Sequence, residues 1–120
     1  MRILIAEDDK FLAKAYQVKF EKLEHEVRIA SDGEEVFTLL EGYDPDVILL
    51  DLVMPKMDGF AVLEKLKANE TTKSIPVVVA SNLGQEEDVE KCKKLGAEKF
   101  VVKSNLSIQE LIEQTMAVVQ

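Results

Sequence analysis

The sequence is poor in cysteine, histidine and positive charge, and each scarcity removes a class of function. Cys92 is the only cysteine, so no internal disulfide forms, a reducing compartment suits the chain, and the side chain reads as a small apolar packing residue. His25 is the only histidine. It lies in a Glu-rich segment between a helix and a strand, and with no second His or Cys beside it reads as an exposed structural residue, not a phosphodonor or ligand. Lys and Arg number 15 against 23 Asp and Glu, a net charge of -8. A nucleic-acid groove draws its affinity from clustered cations and is not expected here. An acidic surface can still meet a basic patch on a protein partner. No apolar run approaches the roughly 18 residues of a membrane span, and Met1-Arg2-Ile3-Leu4-Ile5-Ala6 is strand-like and unlike a signal peptide. A soluble cytoplasmic protein is the expectation. No repeat, low-complexity tract or linker interrupts the 120 residues, which read as one domain, 1–120, with little room for a second module.

What is present is organised around Val47-Ile48-Leu49-Leu50-Asp51-Leu52-Val53-Met54-Pro55. A run without polar alternation indicates a strand buried on both faces, as in the centre of a parallel sheet covered by helices. Its end carries Asp51, where open α/β sheets bind their ligands. Taken alone, Asp51 could equally cap the next turn.

Four more strands follow the same logic: Arg2–Ala6, Glu26–Ala30, Ile75–Ala80 and Lys99–Val102. Between them run five amphipathic stretches. The first buries Leu12, Ala15, Tyr16, Phe20 and Leu23 and is capped by Asp9 or Asp8. The second opens with a capping-box spacing between Ser31 and Glu34, buries Val36, Leu39 and Leu40, and stops at Gly42 and Asp44-Pro45. The third begins near Asp58-Gly59 and buries Phe60, Leu63 and Leu66. A very polar fourth, Gln85–Leu95, turns Val89, Cys92 and Leu95 inward and ends at Gly96; its charges read as a solvated face. The last opens with a capping box from Ser107 to Glu110 and buries Ile108, Leu111, Ile112 and Thr115. Strict alternation of five strands and five helices predicts a doubly wound parallel sheet with right-handed crossovers.

Strand ends then collect the chemistry. Glu7 and Asp8 follow the first strand, Asp51 the third, Ser81 the fourth and Lys103 the fifth. Carboxylates held close raise one another's pKa, so Glu7, Asp8 and Asp51 together predict a bound divalent cation. Oxygen ligands without His or Cys favour Mg²⁺, partly hydrated and shared with a phosphoryl group. Lys103 can pair with Asp51 at rest and with a phosphoryl oxygen afterwards, and Ser81 offers a hydroxyl to another oxygen. The set describes metal-assisted phosphoryl transfer onto Asp51 as nucleophile.

From Glu7-Asp8-Asp9 through Asp51-Leu52-Val53-Met54-Pro55-Lys56-Met57-Asp58-Gly59 and Ser81 to Phe100-Val101-Val102-Lys103, the chain resembles the receiver domains of two-component response regulators. The resemblance covers the whole sequence and implies a flavodoxin-like fold with strand order 2-1-3-4-5. By that resemblance Asp51 accepts a phosphoryl group from a sensor histidine kinase or a histidine phosphotransfer protein. Asp8 and Asp51 bind Mg²⁺ directly, Glu7 mostly through water, and the Val53 carbonyl adds a ligand. Ser81 and Phe100 form a switch pair that alters the face of the fourth helix, fifth strand and fifth helix. The protein is then a signalling domain that promotes its own phosphotransfer and slow dephosphorylation. It acts as a monomer or phosphorylation-dependent dimer and signals through a separate output protein.

Three positions depart from the family pattern. Ser104 stands where proline is usual, so a cis bond after Lys103 would cost roughly 2.5 to 4 kcal/mol and a trans loop is expected. Phe100 replaces the commoner tyrosine and lacks its hydroxyl. Asn82 stands where a small apolar residue is frequent and can crowd or hydrogen-bond the entrance. Val53 and Leu83 occupy positions that tune attack of water on the acyl phosphate, and two apolar side chains there are expected to lengthen its lifetime. The competing reading is a phosphorylation-independent interaction module on the same fold. An aspartyl-phosphate phosphatase of the haloacid dehalogenase kind is disfavoured because Val53 stands where a second acid is needed. A flavodoxin-like mononucleotide binder is disfavoured because Glu7-Asp8-Asp9 replaces a Gly- or Ser/Thr-rich phosphate loop.

Overall fold

The computed structural model describes residues 1–119. Apolar runs and helical periodicities resolve into β1 (Arg2–Ala6), α1 (Lys10–Lys22), β2 (Glu26–Ala30), α2 (Gly33–Leu40), β3 (Val47–Leu50) and α3 (Gly59–Ala68). There follow β4 (Val77–Ser81), α4 (Glu86–Lys94), β5 (Lys99–Val102), a 3₁₀ turn at Lys103–Asn105 and α5 (Ile108–Ala117). The strands form one parallel sheet in the order β2-β1-β3-β4-β5, the expected flavodoxin-like arrangement.

Burial explains why three strands lack alternation. Every residue of β3 and β4, and Ile3 to Ala6 of β1, is buried, whereas the edge strands β2 and β5 are only partly so. Successive side chains point to opposite faces of the sheet. Leu4, Ala6, Ile48, Leu50, Val77 and Val79 pack with Val36, Leu63, Leu66 and Cys92 of α2, α3 and α4. Ile3, Ile5, Val47, Leu49, Val78 and Ala80 pack with Tyr16, Phe20, Leu111 and Ile112 of α1 and α5. Burying each large aliphatic side chain contributes about 1.5–3 kcal/mol, so the central strands are the most firmly held part of the molecule.

Caps set where helices begin, and therefore where the strand-end loops lie. The Asp9 carboxylate accepts the N–H groups of Phe11 and Leu12, and Asp58 accepts that of Ala61. Ser107 and Glu110 form the expected reciprocal box. At α2 the expected Ser31–Glu34 box is displaced by one residue. Asp32 accepts the Glu35 N–H at 2.8 Å and Glu35 reaches back to the Ser31 N–H at 2.8 Å, since a carboxylate is at least as good an N-cap as a hydroxyl. Gly96, with φ of 103°, turns the chain after α4, a conformation costly for any side chain with a Cβ.

Other expectations shift in detail. Ile75 and Pro76 precede β4, and Ser81 is its last residue, paired with Val102; proline has no N–H to give the ladder. On α1, Ala13 is buried and Leu23, just past the helix, is 52% exposed, because the chain turns away there through Glu24 at φ of 67°. On α5, Met116 joins the buried set and Ile108 is half-buried. His25 is half-buried, stacked edge-on to Phe20 and accepting from the Met1 amino group at 3.1 Å. Cys92 is fully buried, and burial pushes its thiol up to about 11, which leaves it an inert packing residue.

Candidate functional site

Three strand ends deliver the acids and their cation. β1 runs directly into Glu7, whose N–H donates to the Ala30 carbonyl, and the Asp51 N–H donates to the Ala6 carbonyl. Continued sheet hydrogen bonding thus carries both carboxylates to one rim. Glycine at 59 is required behind Asp51, because a Cβ there would overlap the Asp51 carbonyl oxygen and the Leu52 Cα. Close approach of α3 to the end of β3 follows.

Carboxylate oxygens of Glu7, Asp8 and Asp51 lie within 4.8 Å of one another. Glu7 and Asp51 are 4% and 6% exposed, while Asp8 is open to solvent. The Lys103 ammonium donates to Glu7 Oε1 at 2.8 Å and to Asp51 Oδ2 at 3.3 Å. Lys103 therefore pairs with Asp51 as expected, but holds Glu7 more closely. The other Glu7 oxygen accepts the Asp9 N–H at 3.2 Å, and Asp51 Oδ1 accepts the Val53 N–H at 3.4 Å. Burial raises the Glu7 carboxyl above its ordinary 4.5, with Asp51 adding to the rise against the hydrogen bond from Lys103. For Lys103, burial pulls the ammonium down, yet the bonds to Glu7 and Asp51 outweigh it and the net shift is upward. The donor set is oxygen only, anionic and partly open, which fits a hard cation such as Mg²⁺.

The remaining predicted residues line the same opening. Asp51, Val53, Ser81, Asn82, Leu83 and Lys103 enclose a cavity of about 190 Å³. Ser81 is 1% exposed, while Val53 and Leu83 are 58% and 39% exposed at the mouth. Phe100 lies one step back. It pairs with Val79 as Ser81 pairs with Val102, so Ser81 and Phe100 are diagonal neighbours on the sheet face that carries α4.

Three features of the site were not apparent from sequence. Tyr16, read there as core, borders the site, and burial together with the carboxylates of Glu7 and Asp51 holds its phenol well above the ordinary range. Phe11 is 91% exposed at the start of α1; separately, a groove of about 190 Å³ is lined by Leu12, Tyr16, Leu106, Ile108 and Leu111 together with Asn82, Lys103, Ser104 and Ser107. An exposed aromatic in a capped helix start was the available signal for that one. Finally, the Asn82 side chain accepts the Ser104 N–H at 3.0 Å, a pairing between distant loops that no local pattern encodes. The peptide into Ser104 is trans.

Comparison with known proteins agrees with this fold. The family profile described as the response regulator receiver domain matches residues 3–115. A DNA-binding dual master transcriptional regulator, RpaA, of Synechocystis is 33% identical over 119 residues, covering 99% of this chain and 49% of that protein. The chain spans less than half the length of the curated relatives compared with it. Among solved structures, the receiver domain of the Francisella response regulator 1452 is 31% identical, with a TM-score of 0.89 over 98% of this chain and 95% of that one. The Mn²⁺-bound response regulator Rcp1 is 31% identical, with a TM-score of 0.83 over 98% and 90%.

Proposed function

This chain belongs to the response regulator receiver domain family, and from that premise we propose that it is a phosphoacceptor switch with Asp51 as the acceptor. The observation that carries the reading is one ammonium, Lys103, held between Glu7 and the proposed acceptor in a pocket that Ser81 also lines. An Asp51 oxygen attacks the phosphorus of a phosphohistidine on a sensor kinase or a histidine phosphotransfer protein. The O–P bond forms, the P–N bond breaks with its electron pair leaving on the imidazole nitrogen, and an acyl phosphate remains on Asp51. Lys103 moves a donor from Asp51 to a phosphoryl oxygen, and Ser81 donates its hydroxyl to another. Glu7, Asp8 and Asp51, with the Val53 carbonyl, would hold Mg²⁺, which when bound neutralises charge on the transferring group. The Mn²⁺-bound relative supports that assignment.

Advance of Ser81 toward the phosphoryl group vacates space beside Phe100, whose ring turns inward and reshapes the face of α4, β5 and α5 for a separate output protein. The donor protein must seat its histidine at the rim, where the exposed Phe11 ring at the start of α1 offers contact area. Incubation with acetyl phosphate or phosphoramidate and Mg²⁺, read by intact mass, tests the assignment. A phosphoryl adduct is expected for the wild type and absent from Asp51→Asn and from metal-free protein. No adduct from small donors or from a panel of phosphorylated kinases would favour the phosphorylation-independent interaction module instead.

A further inference from the structure

Two departures from the family pattern touch each other. Asn82 follows Ser81 at the end of β4, Ser104 follows Lys103, and the Asn82 Oδ1 accepts the Ser104 N–H at 3.0 Å. Proline at 104 would have no N–H to offer. Nearby, Ser81 Oγ accepts the Leu83 N–H at 3.2 Å, and a Cβ on Gly84 would lie 3.1 Å from Val102 Cγ2. The turn after β4 therefore lies against the end of β5, and the Asn82 side chain ties it to the turn that follows. The second turn is itself anchored, since Lys103 is bonded to Glu7 at 2.8 Å.

We propose that Asn82 is a positioning residue whose bond to the Ser104 N–H holds the β4–α4 turn, and with it Ser81, back from the phosphoryl site. The inference rests on the reading of Asp51 as phosphoacceptor and Ser81 as the residue that advances. Asn82 is bonded directly to Ser81, so an advance of Ser81 that moves the turn draws Asn82 away from the Ser104 N–H; on this proposal the tether is made in the resting conformer and lost in the activated one. A contact present in one conformer shifts the equilibrium by its differential free energy. Phosphorylation by a small donor scales with the fraction of protein in the competent conformer. One neutral hydrogen bond corresponds to about a two- to tenfold change in that fraction.

The test is a double-mutant cycle on the rate of phosphorylation by acetyl phosphate. One change is Asn82→Ala; the other replaces the amide between Lys103 and Ser104 by an ester, which deletes the N–H and leaves both side chains. Each alone is expected to raise the rate about two- to tenfold, and the pair no more than either, because both remove the same bond. A gain from Asn82→Ala that persists in the ester protein would reflect a less crowded pocket and overturn the tether, as would an unchanged rate in the ester protein. Amide exchange at Ser104 in unphosphorylated protein supplies a second readout: slow in the wild type and fast in Asn82→Ala. Fast exchange in a wild type that forms the Asp51 adduct overturns this inference alone. A wild type that forms no adduct overturns the phosphoacceptor reading, and this inference with it.

Discussion

At the N-terminal ends of the central strands, charged groups meet partners that satisfy them. Asp46 accepts the Arg2 N–H at 2.8 Å, and the Lys67 ammonium donates to the carbonyls of Lys73 and Ile75 at 3.1 and 2.8 Å. At the C-terminal ends, Glu7, Asp8 and Asp51 crowd together with Lys103 as the cation bonded to two of them. At the N-terminal end Asp46 and Lys67 are both hydrogen-bonded, while burial holds the Lys67 ammonium below its ordinary range. The other keeps negative charge in excess, which a divalent cation can relieve and a transferred phosphoryl group can reorganise.

Breaking the acidic end should cost most. In Lys103→Met the buried Glu7 carboxylate loses its cation, and a loss of roughly 3 kcal/mol is expected at neutral pH in urea unfolding. The pH dependence sharpens the point. Glu7 binds its proton more tightly folded than unfolded, so its contribution to stability is complete below 4.5 and is lost as pH rises through its folded value. The penalty of Lys103→Met should therefore shrink on acidification, as Glu7 becomes neutral. Lys103, raised in the folded state, contributes fully below 10.5 and loses its contribution as pH rises through its folded value, so variant and wild type also converge in alkali. A penalty constant across pH would mean that the ion pairs do not determine it.

At the opposite end, Lys67→Met should cost about 1.5 kcal/mol, because two charge-assisted hydrogen bonds are lost while the burial that holds the ammonium below its ordinary range is relieved. Phosphorylation of Asp51 should be unchanged, which intact mass after acetyl phosphate treatment would check. Loss of phosphorylation would show that the two ends are coupled. The smallest effect lies at the mouth of the pocket, where Val53 and Leu83 are exposed beside Asp51. Replacing them by Asn and Glu should admit water and shorten the phosphoryl lifetime by about tenfold, or about 1.4 kcal/mol of barrier. Decay after single turnover measures it, and an unchanged lifetime would remove the shielding role.

Much of the fold was legible because its signals are local. The unbroken runs of β1 and β3 announce burial on both faces, and Asp9, Asp58 and Ser107 mark helix starts through hydrogen bonds spanning two or three residues. Where two local solutions competed, sequence reading missed by one or two positions. Asp32 capped α2 in place of Ser31, and Pro76 moved the start of β4 to Val77. The predicted site residues were legible as strand-end groups, and the fold brings the acids and Lys103 together as a cluster, with Ser81 and Val53 lining the adjoining pocket.

Sequence by itself determined the alternation of strands and helices, the layered burial and the placement of polar residues at strand ends, because period, capping and apolar run length act over a few residues. Tertiary structure alone decided which groups touch. That Lys103 bonds Glu7 more closely than Asp51, that Tyr16 lies beside the acids, and that Asn82 finds the Ser104 N–H all depend on strands distant in sequence lying side by side. The energy of a charge or a hydrogen bond is set by distance and burial in space, and neither is written in the spacing along the chain.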